Sequence, residues 1–231
     1  DSSRNSFMIK RMEDLADRTI WAMGKQLKCG DFVPFVFEHK FNMEVGDGDR
    51  KQLMSGTIDR VDICENDTDV YVRIIDYKTG KKDFNIVKTY YGIDIQLMVY
   101  MEAAMKLVAK MRPGKNVLPA GVFYYNISDP IVSATNESAE EIEDKIKGEL
   151  RLKGMVNSDK DIAEKMDNTE GTSLNIPVSR KADGGFDSRR SKVMNTEQFN
   201  MLGRFVDVRA VDTADRIAGG DIRRSPYKDG Q

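Results

Sequence analysis

Apolar residues recur at helical spacing from about Phe7 to Leu27, at Met8, Met12, Leu15, Ile20, Met23 and Leu27. The spacing predicts an amphipathic helix, which Gly30 ends. From Phe32 to Met43 the apolar positions Val33, Phe35, Phe37, Phe41 and Met43 alternate or run together, which predicts a strand. Gly46-Asp47-Gly48-Asp49 has the composition of a turn. Two further strands are predicted, roughly Gln52–Cys64 and Val70–Lys78. The polar run Glu65-Asn66-Asp67-Thr68-Asp69 between them makes the pair a hairpin.

Beyond the hairpin, Asp83 or Asn85 caps a short helix through Tyr90, and Gly92 breaks it. Asp94 caps a stronger helix from about Ile95 to Met111, with Leu97, Val99, Met101, Ala104 and Val108 inward and Pro113-Gly114 as the stop. Ala120–Ser128 reads as a strand closed by Asp129-Pro130. The stretch from about Ile131 to Asn195 is richer in charge, with helical pieces near Ala139–Leu152 and Asp159–Met166, and reads as an insertion or a mobile region. Thr196 then caps a final helix that turns Phe199, Leu202, Phe205, Val206 and Ala210 inward and ends at Gly219-Gly220. The order predicts an α/β fold, a mixed central sheet with helices on its faces.

The 231 residues suit one domain with a sizeable insertion, and 40% apolar residues suffice for a core. No apolar run is long enough for a membrane-spanning helix, and the polar start lacks the apolar segment of a signal peptide. The missing initiator Met and the abrupt end at Gly230-Gln231 read as a piece of a longer protein. Two cysteines without metal spacing, Cys29 and Cys64, suit a reducing compartment, the cytoplasm. A net charge of −2 announces no global attraction to nucleic acid, but Lys78, Lys81 and Lys82 cluster, as do Arg189 and Arg190.

Asp59, Asp76 and Lys78 lie in the hairpin. Side chains alternate faces along a strand, so Asp76 and Lys78 point the same way. A pairing centred between Asp67 and Thr68 sets Asp59 opposite Asp76. Opposed residues share a face, with Cβ atoms roughly 4.5–5.5 Å apart. Two carboxylates so placed repel one another, and a hard divalent cation offsets that repulsion. Asp–Lys pairs on strands often serve solubility alone. The apolar neighbours Val72, Ile74 and Ile75 mark a buried strand instead, where unpaired charge is costly. Lys81 and Lys82 suit contacts to phosphate groups or simply an exposed hairpin exit, and Arg223 and Arg224 suit the same contacts. Thr79-Gly80-Lys81-Lys82 lacks the first glycine of a phosphate loop, and Asp67-Thr68-Asp69 lacks the glycine and closing glutamate of a calcium loop.

Three stretches carry a family resemblance: Gly56-Thr57-Ile58-Asp59-Arg60-Val61-Asp62, then Ile74-Ile75-Asp76-Tyr77-Lys78-Thr79-Gly80, then Gln96-Leu97-Met98-Val99-Tyr100. In order and spacing they resemble the GxIDRxD, DYKxG and QxxxY motifs of the RecB-like branch of the PD-(D/E)xK nucleases. Within that branch the chain is most similar to the C-terminal nuclease domain of AddB-type helicase–nuclease proteins, a likeness shared by Gly121–Tyr125 and Asp129-Pro130. The similarity covers about Val33–Pro130 well and the last helix more loosely.

The resemblance implies a restriction-endonuclease-like core over about 7–130 and 196–220, an insertion over about 131–195, and one nuclease domain in all. It implies metal-dependent hydrolysis of DNA phosphodiester bonds in a helicase–nuclease complex for recombinational double-strand-break repair, near the nucleoid. The substrate is then a single strand from an unwound duplex, and the partner a protein of the AddA kind. Asp59 and Asp76, with the main-chain carbonyl of Tyr77, would ligate Mg²⁺ or Mn²⁺. Lys78 would orient the attacking water and stabilise charge on the phosphate. Gln96 and Tyr100, four residues apart on one helix face, would stand near the lysine and near DNA, although simple packing also accounts for them.

The chain departs from the family in two respects. Its first helix carries no histidine for the metal; His39 reads as an ordinary strand residue, and Glu38 as an extra acid near the site. AddB-type domains also hold a 4Fe–4S cluster on four cysteines. Cys29 and Cys64 match neither position, so the cluster is expected in the longer parent protein and not in this chain. Two other functions compete: a non-catalytic DNA-binding or scaffolding module of the same fold, and a stand-alone phage or Cas-type exonuclease.

Overall fold

In the computed structural model, residues 3–46, 50–133 and 135–223 are described. They form one mixed sheet of β1 (Val33–Val45), β2 (Gln52–Glu65), β3 (Asp69–Lys78), β4 (Asn116–Asn126), β5 (Lys153–Asn157) and β6 (Val193–Met194), in that spatial order. The β3/β4 and β5/β6 pairs are parallel and the other three antiparallel. The helices are α1 (Ser3–Leu27), α2 (Ile86–Tyr90), α3 (Gln96–Met111), α4 (Ala139–Glu149), α5 (Lys160–Met166) and α6 (Thr196–Ala218). This is the α/β architecture that the order of elements predicts. No helix among the described residues is long and apolar enough to cross a membrane. The predicted turn at Asp47–Asp49 and Arg224 lie outside the described residues.

Burial on both faces explains the apolar run of β3. Val70, Val72 and Ile74 pack with Leu97, Met101, Ala104 and Val108 of α3. Tyr71 and Ile75 enter a second core with Phe123, Tyr125, Leu152 and Ile162. The hairpin register comes from Asn66. Its side-chain oxygen accepts the N–H groups of Thr68 (2.9 Å) and Asp69 (2.7 Å), and its own N–H donates to the Asp69 carbonyl (3.0 Å). Asp67 and Thr68 are thus the loop, and the ladder runs from Glu65–Val70 to Arg60–Ile75.

Several predicted details shift. β4 begins at Asn116, four residues early, where it can follow β3 from its first residue. Asp94 does not cap α3: the cap position is Ile95 without a side-chain bond, and Asp94 instead accepts from Tyr124. Asn195, not Thr196, caps α6, in a reciprocal box with Gln198. The stripe of α1 stays largely exposed, with Met12 at 65% and only Ala22 and Gln26 buried, because periodicity reports an amphipathic helix and not what covers it. Residues 131–195 place β5 and β6 on the edge of the sheet beside β4.

Beneath the hairpin, on the face away from α3, lies a buried charge cluster. Asp62 accepts Nε and Nη2 of Arg60 (2.7 and 2.8 Å) and Nε of Arg73 (2.8 Å), and none of the three exceeds 3% exposure. Removing the one carboxylate strands two guanidinium groups in the interior. Asp62→Ala is therefore expected to destabilise the fold by about 3–5 kcal/mol, read as a lower midpoint of urea unfolding.

At the seam of α3 and α6, half-buried Asp207 meets Glu102, which pairs with Lys106 at 2.5 Å. Burial first, and the Glu102 carboxyl next, push the Asp207 pKa up to about 7. The native state thus binds this proton more tightly than the unfolded chain does. The resulting stability is complete below the ordinary carboxylate range and is lost as pH rises through about 7. The thermal midpoint should fall between about pH 4 and pH 7, and Asp207→Asn should flatten that fall and melt higher than wild type at the upper pH.

Candidate active site at the carboxyl end of the third strand

β3 and β4 are parallel neighbours joined through α3, so their carboxyl ends and the first turn of α3 converge on one place. The even-numbered residues of β3 face α3, which brings Asp76 and Lys78 onto that face beyond Ile74. One step past the Arg60–Ile75 pair, Asp59 comes across from Asp76. Its Oδ2 accepts the backbone N–H of Tyr77 at 2.7 Å. The structure therefore gathers Asp59, Asp76, Lys78 and the Tyr77 main chain at the strand end.

Gln96, the first residue of α3, ties this cluster together. Its Oε1 accepts from Lys78 Nζ (3.1 Å), and its Nε2 donates to Asp76 Oδ1 (3.1 Å) and to Tyr100 Oη (2.9 Å). The Lys78 ammonium is 2.6 Å from Asp76 Oδ2. Asp76 is 2% exposed, and burial raises its pKa, with Lys78 opposing and the charge of Asp59 adding to the rise.

Tyr124 and Asp94 also border the cluster; the likeness over Gly121–Tyr125 gave Tyr124 no role, and Asp94 read as a helix cap. Tyr124 pairs with Asp76 across β3/β4, and its ring carries Lys78 Nζ at 5.6 Å and Lys82 Nζ at 5.4 Å. Its hydroxyl donates to Asp94 Oδ1 (2.6 Å), while Asp94 Oδ2 pairs with Lys82 (3.3 Å). Burial and the Asp94 carboxylate raise the tyrosine pKa. Lys82 thus joins the site through Tyr124 and Asp94, whereas Lys81 stands exposed at the hairpin exit. Gly56 has a steric reason. A β-carbon there would lie 2.9 Å from Phe41 Cε1 and 3.4 Å from Tyr100 Cε1, inside the edge-to-face Phe41–Tyr100 pair.

Glu38 is flanked by the pairs Phe37–Arg60 and His39–Ile58, which sets it across from Asp59, exposed and at φ +47°. His39 lines a different hollow, with Lys106 and Lys110 of α3. Arg189 and Arg190 turn about Asp187, and Arg223 pairs with Asp221, all outside the cluster. Cys29 and Cys64 are free thiols whose pKa values burial raises.

Whether a divalent cation fits is a matter of the donor set. Among the described residues no group of three His, Cys, Asp or Glu side chains could hold a metal. Two carboxylates can suffice for Mg²⁺, which keeps several waters and takes further oxygens from substrate phosphate. Asp59 and Asp76, opposed at the strand end and close enough for their charges to interact, are such a carboxylate pair, so the residues fit the ion.

A family model described as the PD-(D/E)XK nuclease superfamily matches residues 1–230. The chain is 35% identical to an ATP-dependent helicase/deoxyribonuclease subunit of Clostridium botulinum, over 98% of this chain and 20% of that protein. The protein of the same name from Clostridium acetobutylicum is 35% identical over 100% of this chain and 21% of its own length. That from Caldanaerobacter subterraneus is 36% identical over 98% and 20%. The chain thus spans about a fifth of the length of these relatives. With its three motifs meeting at one strand end and a family match over nearly every residue, the chain belongs to the PD-(D/E)XK nuclease superfamily.

Proposed function

We propose that this chain is the metal-dependent DNA-cutting domain of a helicase–nuclease complex, acting on a single strand that a helicase partner of the AddA kind delivers. The observation that carries this reading is the meeting of Asp59, Asp76 and Lys78 on one sheet face at the end of β3. The relatives are named as subunits of an ATP-dependent helicase/deoxyribonuclease, which supports the substrate and the setting.

Asp59 and Asp76, with the Tyr77 carbonyl, would hold Mg²⁺ or Mn²⁺. The bound ion would supply a polarised phosphoryl group and a water of lowered pKa. Lys78, fixed between Asp76 and Gln96, presents an ammonium for the negative charge that grows on the phosphate. Gln96 keeps Lys78 and Asp76 in register, and Tyr100 anchors Gln96 in turn. A side chain held by neighbours on rigid elements loses little entropy when substrate arrives. Tyr100, Lys81 and Lys82 are assigned to the DNA strand.

A fluorescent single-stranded oligonucleotide incubated with Mg²⁺ or Mn²⁺ should be cut, and Asp76→Ala should slow the cutting by at least about 100-fold with the fold intact by circular dichroism. Cutting that survives in Asp76→Ala would remove this site from the chemistry. Binding can be read without any turnover. Mn²⁺ should raise the thermal midpoint of wild type, by about 2.7 kcal/mol of stabilisation at a concentration 100 times Kd. Asp59→Asn and Asp76→Asn should each lose most of that rise, and equal rises in all three proteins would place the ion elsewhere.

A further inference from the structure

Beside the site lies a basic hollow of about 570 Å³. Its rim comes from the exits of β3 and β4 and from the segment that bears β5 and β6. Five cations line it, Lys81, Lys82, Arg151, Lys153 and Lys192, against two carboxylates, Asp83 and Glu149. On a chain of net charge −2 that is a local excess of positive charge.

The sheet register relates this hollow to the cutting site. Asp76 pairs with Tyr124, and Tyr124 with Lys153. Directly paired residues share a face, so Lys153 stands in the same transverse row as Asp76. Two interstrand spacings separate their backbones, roughly 10 Å. Lys153 is half-buried and has no ion-pair partner among the described residues; burial and the charge of Arg151 lower its pKa. Arg151 lies two residues earlier, held by the Ser173 carbonyl (3.4 Å), with its Nε buried and without a partner.

The hollow is also braced. Asn126 clamps the Lys82 backbone through both its N–H and its carbonyl, each at 3.0 Å. The Lys192 ammonium pairs with Asp83. Arg151 and Lys153, half-buried, on a fixed frame and without an ion-pair partner among the described residues, suit an oxyanion.

We propose that Lys81, Arg151 and Lys153 form a second phosphate site, which grips the backbone of the DNA strand beside the bond being cut. The assignment of DNA as the ligand rests on the proposed nuclease function. It gives residues 131–195 a task, since Arg151 and Lys153 come from that segment. The contact is to backbone phosphate, so it is indifferent to base sequence.

The test is binding of a labelled single-stranded oligonucleotide to the full 231-residue chain in EDTA, where nothing is cut, over a series of salt concentrations. Lys153→Gln should weaken binding about fivefold at 0.1 M salt and lower the log–log salt slope by about 0.7, the loss of one phosphate contact. Lys153→Arg should restore affinity to within about twofold. Unchanged affinity and slope in Lys153→Gln, an equal loss in both variants, or no binding by wild type would each overturn the site. Competition with inorganic phosphate separates the sources of the anion. If phosphate binds in wild type, is lost in Lys153→Gln, and leaves oligonucleotide binding unaltered, the strand assignment is overturned. Cutting by wild type with Mn²⁺ is measured alongside. Cutting with no effect of Lys153→Gln on binding would sink the second site alone, and weakened binding without cutting would sink the nuclease function alone.

Discussion

The register of β2 against β3 governs the site, because the pleat of a strand leaves no intermediate choice of face. A slip by one residue would send Asp76 and Lys78 toward the second core and bring Tyr77 under α3. Two devices hold it. Asn66 closes the loop at two residues with three hydrogen bonds, which fixes where pairing begins. Val70, Val72 and Ile74 fit only the core beneath α3, and Tyr71 and Ile75 only the core opposite, which fixes which face each residue takes. The acidic pair at the far end is a consequence of turn chemistry and apolar alternation some ten residues away.

Tyr77 shows how the two faces of β3 cooperate. Its backbone N–H holds Asp59 on the site face. Its ring goes the other way, edge-on to Tyr125 at 5.8 Å, with its hydroxyl 3.4 Å from Arg60 Nη1 and 3.6 Å from Met23 Sδ. Arg60 is itself fixed by Asp62, and Asp62 by Arg73. The buried ionic cluster and the aromatic pair therefore anchor the strand from behind at the residue whose main chain borders both acids. Such an anchor restrains the peptide without occupying any of the space in front of it.

Much of this was legible because it is local. Period-two alternation and a polar turn suffice to oppose Asp59 and Asp76, and a separation of four on a helix suffices to join Gln96 and Tyr100. What was not legible depends on pairings distant in sequence. Asp94 looks like a helix cap, but the buried hydroxyl of Tyr124 needs an acceptor and takes it. Lys153 is one lysine in a charge-rich stretch until β5 pairs with β4 and puts it beside Tyr124. Gly56 reads as a motif letter; only the packing of Phe41 on Tyr100 gives the reason for a missing side chain. The apolar stripe of α1 is legible as a stripe, yet its exposure is not, since periodicity carries no information about a partner surface.

Charge balance gives a last link between the acids and the basic hollow. Asp59, Asp76 and Lys78 together carry one net negative charge when both acids are ionised, which alone would repel a phosphodiester. A divalent cation on the acids inverts the sign to one net positive charge, so affinity for metal and for the scissile phosphate would rise together. The cations of the neighbouring hollow need no such inversion, because Lys81, Arg151 and Lys153 outnumber the carboxylates around them. A strand could then be gripped a short distance from the acids whether or not the ion is in place. On this division, metal would decide whether the strand is cut, and the edge of the sheet would decide whether it is held.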